Sequence, residues 1–425
     1  MTTAASPPSS RYRAWVMFML VLVYTFNFID RQIVSILAPA IKTDLGLSDT
    51  ELGLMGGIAF ALFYTGLGIP VAMLADRRSR TWIMTIALAL WSAMTALCGL
   101  ASNFWQLFLA RLGVGVGEAG GVAPAYSLIA DYFEPRQRAR ALSVYAFGIP
   151  IGSALGILLG GFIATHIDWR YAFFVVGIAG VLLAPVFKLT VREPQRGQYD
   201  SVTDNPTASF GEVLSVLMRR RSFWFLSVGA ATASIVGYGV FFWLPSFLIR
   251  SYDLTVFEAS LYVGGIFLIG GVAGMWLGGW SADFFGARNR RAYATVPAVA
   301  FLLITPFYFL ALTASSLPIV VVALLIPMAL GLAWLGPVTS AIQHIVRPHM
   351  RATASAVFLF INNLIGLGLG TLVIGAVSDA LTARFGDEAL RYAILGTCSL
   401  YVLAATLFFL GRRHLEHDWQ HARAN

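Results

Sequence analysis

The chain has 425 residues, 58% of them hydrophobic and 12% charged, with a mean hydropathy of +0.75. Soluble domains carry about a quarter charged residues, so this composition excludes a water-soluble enzyme and indicates a polytopic membrane protein. The formal charge of +8 does not point to nucleic acid, because the arginines lie between apolar segments rather than in one patch. Cys98 and Cys398 both fall in apolar runs, which leaves neither a disulfide framework nor a zinc site.

Apolar runs long enough to cross a bilayer fall at about 14–38, 51–75, 82–100, 104–130, 141–164 and 170–190. After a polar stretch they resume at about 222–249, 257–282, 292–313, 317–343, 352–378 and 389–411. The fold class predicted is an all-α membrane protein with twelve transmembrane helices in two six-helix bundles, 1–192 and 222–425. Between them, 193–221 is a cytoplasmic linker. It begins with polar sequence and then sets Phe210, Val213, Leu214 and Leu217 at helical spacing before Arg219, which predicts a short amphipathic helix. Residues 14–29 imitate a signal-peptide core, but the run continues through Asp30 and Arg31, so it is read as a retained first helix.

With the N-terminus inside and loops assigned alternately, 22 Lys and Arg residues fall on the inner side against 5 on the outer. This predicts a multi-pass protein of the inner (cytoplasmic) membrane with both termini cytoplasmic.

The first run carries Asn27, Asp30 and Arg31, and the fourth carries Arg111 and Glu118 with Gly113, Gly115 and Gly117 between them. Arg111 and Glu118 are seven residues apart, which puts them on one helix face about 10 Å apart along its axis. A charge at membrane depth costs a few kcal/mol and marks a bundle interior or a water-filled path. The glycines between them predict close approach of a neighbouring helix. Glycines at 148, 152, 156 and 160 in the fifth run predict a second close-packing stripe.

The halves repeat each other. Asp76 and Arg80 follow the second run as Asp283 and Arg288 follow the eighth, and Pro135 and Arg138 follow the fourth as Pro348 and Arg351 follow the tenth. Arg170 opens the sixth as Arg391 opens the twelfth, and the offsets of 207, 213 and 221 keep register within a few residues. A parallel six-helix duplication is the architecture of one large transporter class.

The stretch from Ala72 to Arg80, with Asp76, Arg77 and Arg80, resembles the loop signature of the major facilitator superfamily, with Ala72 and Ser79 where that signature has glycine. The second copy keeps both, as Gly279 and Gly286. Asn27 to Arg31, Arg111 to Ala119 and Tyr132 to Ala141 resemble more narrowly the spinster-like transporters. That resemblance implies a major facilitator fold and amphipathic lipid substrates of lysophospholipid or sphingosine-phosphate type, moved with proton coupling.

Asp30, Arg31, Arg111 and Glu118 are therefore expected to form one buried network. Burial favours the neutral form of a carboxylate and a neighbouring guanidinium favours the ionised form, so a group balanced between them can exchange a proton. Asp30 and Glu118 are the expected proton-coupling sites, with Arg31 and Arg111 as switching partners or headgroup anchors. The alternative is a permanently ionised quartet that only fixes packing. Asp76, with Arg80, is expected to cap the eleventh helix near Arg351, and Asp283, with Arg288, the fifth near Arg138, as gate latches; plain topology charges are the other reading. Tyr238, Phe242, Trp243, Trp334, Asn362 and Asn363, together with Asn27, are candidates for cavity lining.

No Walker loop, H-E-x-x-H or G-x-S-x-G is present, so no enzyme, cofactor or metal is expected. The reading is a monomeric, proton-coupled secondary transporter of an amphipathic lipid, working by alternating access, with protons, a small amphiphile and the bilayer as its partners. A small organic anion or sugar acid, or multidrug efflux, is the alternative.

Overall fold

The computed structural model describes residues 9–199, 209–286, 290–347 and 350–424, and it is helical throughout with no strand among them. In chain order the helices are α1 (Ser10–Leu45), α2 (Asp49–Gly56), α3 (Ile58–Arg77), α4 (Arg80–Cys98), α5 (Phe104–Glu118), α6 (Val122–Tyr132), α7 (Pro135–Ala146), α8 (Gly148–His166) and α9 (Trp169–Thr190). The short α10 (Phe210–Arg219) precedes α11 (Arg221–Tyr252), α12 (Val256–Gly286), α13 (Ala292–Thr313), α14 (Leu317–Leu330) and α15 (Leu335–His344). The chain closes with α16 (Arg351–Asn362), a π-helical turn (Asn363–Leu367), α17 (Gly368–Phe385), α18 (Ala389–Cys398) and α19 (Leu400–Ala424).

Among the described residues, ten helical stretches are long and apolar enough to span a membrane, against the twelve runs of the sequence. Two features account for the difference. The fourth run is broken at 119–121 into α5 and α6, neither long enough alone. The stretch Thr353–Gln420 counts once, although its 68 residues would make a helix of roughly 100 Å, enough for several crossings of a ~30 Å hydrocarbon core.

The tenth run breaks as the fourth does. Residues 331–334 form turns between α14 and α15, in register with the 119–121 break by the offset of 213 that relates Arg138 to Arg351. The copied arginines also do the same local work. Arg138 Nε donates to the Ala130 carbonyl at 3.0 Å and Arg351 Nε to the Gln343 carbonyl at 3.0 Å, each eight residues back. Each therefore satisfies a carbonyl near the end of the preceding helix, where cations are favoured.

The chain forms two compact units. One holds residues 1–34 with 63–203, the other 35–62 with 204–425. In the first, the α8 glycines pack on α1: a Cβ on Gly156 would lie 2.8 Å from the Ile29 carbonyl oxygen, and one on Gly148 3.0 Å from Tyr24. Gly117 presses on α4, where an added Cβ would sit 2.6 Å from the Trp91 amide nitrogen. In the second unit, Gly239 of α11 faces Gly370 of α17, again with 2.6 Å to a backbone atom. These are the close approaches that only a glycine surface permits. Val213 and Leu217 of α10 are buried, and Ser209 caps that helix through the Glu212 N–H.

Candidate functional site

The first unit contains the charged cluster. Asp30 and Arg31 lie in α1, Arg111 and Glu118 in α5, and Asp30, Arg111 and Glu118 are buried. Arg31 Nε donates to Glu118 Oε2 at 2.8 Å, and its side chain retains 14% exposure while Glu118 has none. Arg111 Nη1 reaches the main-chain carbonyl of Asp30 at 3.4 Å rather than its carboxylate. Both Asp30 carboxylate oxygens are buried without a hydrogen-bond partner among the described residues, as is Glu118 Oε1. Thr95 and Trp91 of α4 border Asp30, and Asn27 borders Glu118.

The cluster is thus asymmetric: one tight pair, Arg31–Glu118, and one buried carboxylate, Asp30, bordered by Thr95, Trp91 and Arg111 without an ion-pair contact. The arrangement follows from the local sequence. Asp30 and Arg31 are adjacent, about 100° apart around α1, and the hydrogen bond to Glu118 comes from Arg31. Gly117 lets α5 approach α4 at the level where Glu118 emerges, and the helix ends there.

Aromatic rings enclose the exposed side of Arg31. Its guanidinium carbon lies 4.6 Å from the Tyr64 ring centre and 5.0 Å from that of Phe28. Tyr24 stacks on Tyr145 at 4.3 Å, and Tyr126 meets Tyr145 edge-on at 5.7 Å. A guanidinium on aromatic faces stays charged while partly desolvated, which suits recognition of an anionic group.

Arg80 is fully buried inside the first unit, where it donates to Asp131, to Glu193 Oε1 at 2.7 Å, to Ser127 Oγ at 2.9 Å and to the Pro194 carbonyl at 3.2 Å. Glu193 in turn accepts the Thr81 N–H at 2.9 Å and the Ser79 hydroxyl at 2.8 Å. Burial alone would raise the Glu193 carboxyl, but the Thr81 amide, the Arg80 guanidinium and the Ser79 hydroxyl outweigh it and hold it at about 2. Neither Asp131 nor Glu193 stands out in the sequence, because each reads as an ordinary loop-edge charge.

Asp76 is exposed at the end of α3. Only the backbone of Asp283 is described, within α12, and Arg288 lies outside the described residues. In the second unit Asn362 accepts the Ser234 hydroxyl at 2.9 Å, the polar partner that a mid-membrane amide needs, and Asn363 opens the π-helical turn. Tyr238 is half-buried, and Trp334 packs edge-on to Phe358 at 6.2 Å. Trp243 is wholly buried, its indole N–H on the Thr371 carbonyl at 2.8 Å, and the Phe242 ring lies against Gly56.

The major facilitator superfamily model matches residues 20–370. The chain is 34% identical over 409 residues to an MFS-type efflux pump of Mycolicibacterium smegmatis, covering 96% of this chain and 94% of that protein. It is 32% identical over 449 residues to protein spinster homolog 1 of Homo sapiens, covering 99% of this chain and 84% of that one. Among solved structures, a bacterial homologue of the human lysosomal transporter spinster, inward-facing and unoccupied, matches with a TM-score of 0.88 at 33% identity, over 97% of this chain and 99% of that one. With this fold and duplication, the chain belongs to the major facilitator superfamily, among its spinster-like transporters, and is a multi-pass membrane transporter of a small-molecule substrate.

Proposed function

We propose that the protein is a proton-coupled transporter of an amphipathic lipid with an anionic headgroup, of the lysophospholipid or sphingosine-phosphate class. The observation that carries this reading is the Arg31–Glu118 pair beside the fully buried Asp30 carboxylate, which no cation contacts as an ion pair. A proton arriving at Glu118 removes the counter-ion of Arg31. That guanidinium, on the side of the pair lined by Tyr64 and Phe28, then takes an anionic headgroup in its place. Loss of the proton restores the pair and expels the headgroup. Asp30 is the second proton site, sensing the same field through Arg111. In this reading the protein lies in the inner membrane with both termini cytoplasmic, acts as a monomer by alternating access, and uses no cofactor.

The test is Glu118→Gln in proteoliposomes across a pH series, with lysophosphatidylglycerol as probe. Binding is expected to persist, while turnover falls and loses its pH dependence. Concentrative transport by this variant under an imposed pH gradient would show that Glu118 is structural.

The similarity to an MFS-type efflux pump supports a second reading, in which the substrate is a small amphiphile extruded from the cell. Competition separates the two: a cationic dye that displaces the lysolipid favours efflux, because Arg31 and Arg111 oppose a cation.

A further inference from the structure

The linker helix α10 carries three kinds of surface on its ten residues. At about 100° per residue, Val213 and Leu217 fall in one quadrant, and both are fully buried where α10 packs against α16 and α11. Phe210, Leu214 and Met218 fill the neighbouring quadrant and are 56%, 38% and 61% exposed. Gly211, Glu212, Ser215 and Arg219, all exposed, occupy the far side. The apolar arc is therefore wider than the face that the second unit covers, and its uncovered part lies beside the protein rather than opposite it.

That uncovered quadrant has a definite place. Through Arg220 alone, α10 passes into α11, a 32-residue helix long and apolar enough to span a membrane. Trp224, half-buried near the start of α11, is the residue type that settles at a membrane–water boundary. Three arginines mark the same level. Arg220 lies 3.9 Å from Asp418, whose carboxylate also accepts the Ser222 N–H at 2.9 Å and the Ser222 hydroxyl at 2.6 Å. Arg219 and Arg221 are exposed, and neither is in an ion pair among the described residues.

We propose that α10 docks on the surface of the bilayer and binds its anionic phospholipids. Phe210, Leu214 and Met218 enter the boundary of the acyl chains, and Arg219 and Arg221 hold the phosphates above it. A helix with this division of its surface lies in the interface with its apolar side sunk about 5–10 Å, and basic residues beside it add attraction to anionic headgroups. Zwitterionic lipid would cover the apolar quadrant but leave both arginines without a counter-ion. A second copy of the chain laid on the same quadrant would bring those arginines up against their equivalents, where like charges repel. The proposal stands whatever the substrate and whether or not protons drive its transport.

The test uses the full chain in nanodiscs of phosphatidylcholine, alone or mixed with phosphatidylglycerol. A nitroxide is attached at Leu214→Cys, at Met218→Cys or, on the polar side, at Ser215→Cys. Unsubstituted protein labelled in parallel corrects for Cys98 and Cys398, both buried. Collisions of each label with oxygen, which partitions into lipid, are compared with those of a neutral nickel chelate, which stays in water. In the mixed lipid, oxygen is expected to dominate at positions 214 and 218 and nickel at 215. Each arginine near an anionic surface favours docking several-fold, so phosphatidylglycerol should raise the oxygen-to-nickel ratio at 218 roughly twofold or more. Arg219→Gln/Arg221→Gln should abolish that rise. Nickel dominating at all three positions would overturn the proposal, as would shielding from both reagents at 214 and 218, the mark of a second copy. A ratio at 218 that ignores phosphatidylglycerol, or rises equally without the two arginines, would overturn the assignment of anionic lipid.

Discussion

Arg111 shows how much one buried side chain carries. It is 2% exposed and braces the Asp30 carbonyl, while Asp30 and Glu118 both lie in its field. Arg111→Ala should therefore destabilise the protein by about 3–5 kcal/mol, the cost of stranding buried charge, and Glu118→Gln by less, because the Arg31 it leaves behind is 14% exposed and lies on the Tyr64 and Phe28 rings. Thermal unfolding in detergent compares the two, and equal melting temperatures would show that Arg111 does not organise the cluster. Glu193 gives a pH signature. Its carboxyl is depressed to about 2, below its ordinary value of 4.5, so the stability it contributes is complete above about 4.5 and lost as pH falls through about 2. Glu193→Gln should flatten the acid limb of stability in that window and leave neutral-pH behaviour less changed; parallel acid limbs would rule this out.

At the scale of elements, the helix contacts are set by glycines whose neighbours cannot move aside. Gly117 and Gly239 both face backbone atoms, so alanine at either should cost about 1–3 kcal/mol through displacement of a whole helix. Alanine at Gly66 or Gly68, which face open space, is the control and should be neutral or mildly stabilising. Melting temperatures of the four variants decide it. The glycine spacing of 113–117 and 148–156 is visible in the sequence; the partner helix is not, because many helices offer an equally apolar face. The break at 119–121 also escapes hydropathy, since a turn of apolar residues reads the same as a helix.

At the scale of the molecule, the arginine distribution predicts that both termini are cytoplasmic. Reporter domains fused at either end should be active only in a cytoplasmic-folding form; activity of an exported phosphatase at the C-terminus would invert the topology. Length, hydropathy and the repeated landmarks were enough to determine membrane class, spans and duplication, because a bilayer imposes one strong rule on each segment independently. Buried ionisable residues were legible for the same reason, since charge at membrane depth is conspicuous wherever it pairs. Only the tertiary structure decided that Arg31, not Arg111, holds Glu118, that Arg80 is clamped by Asp131 and Glu193, and that Asp49 is gripped by Arg250 from 201 residues away. Such pairings depend on helix rotation and on which ends meet, and no local property of a loop-edge aspartate records either.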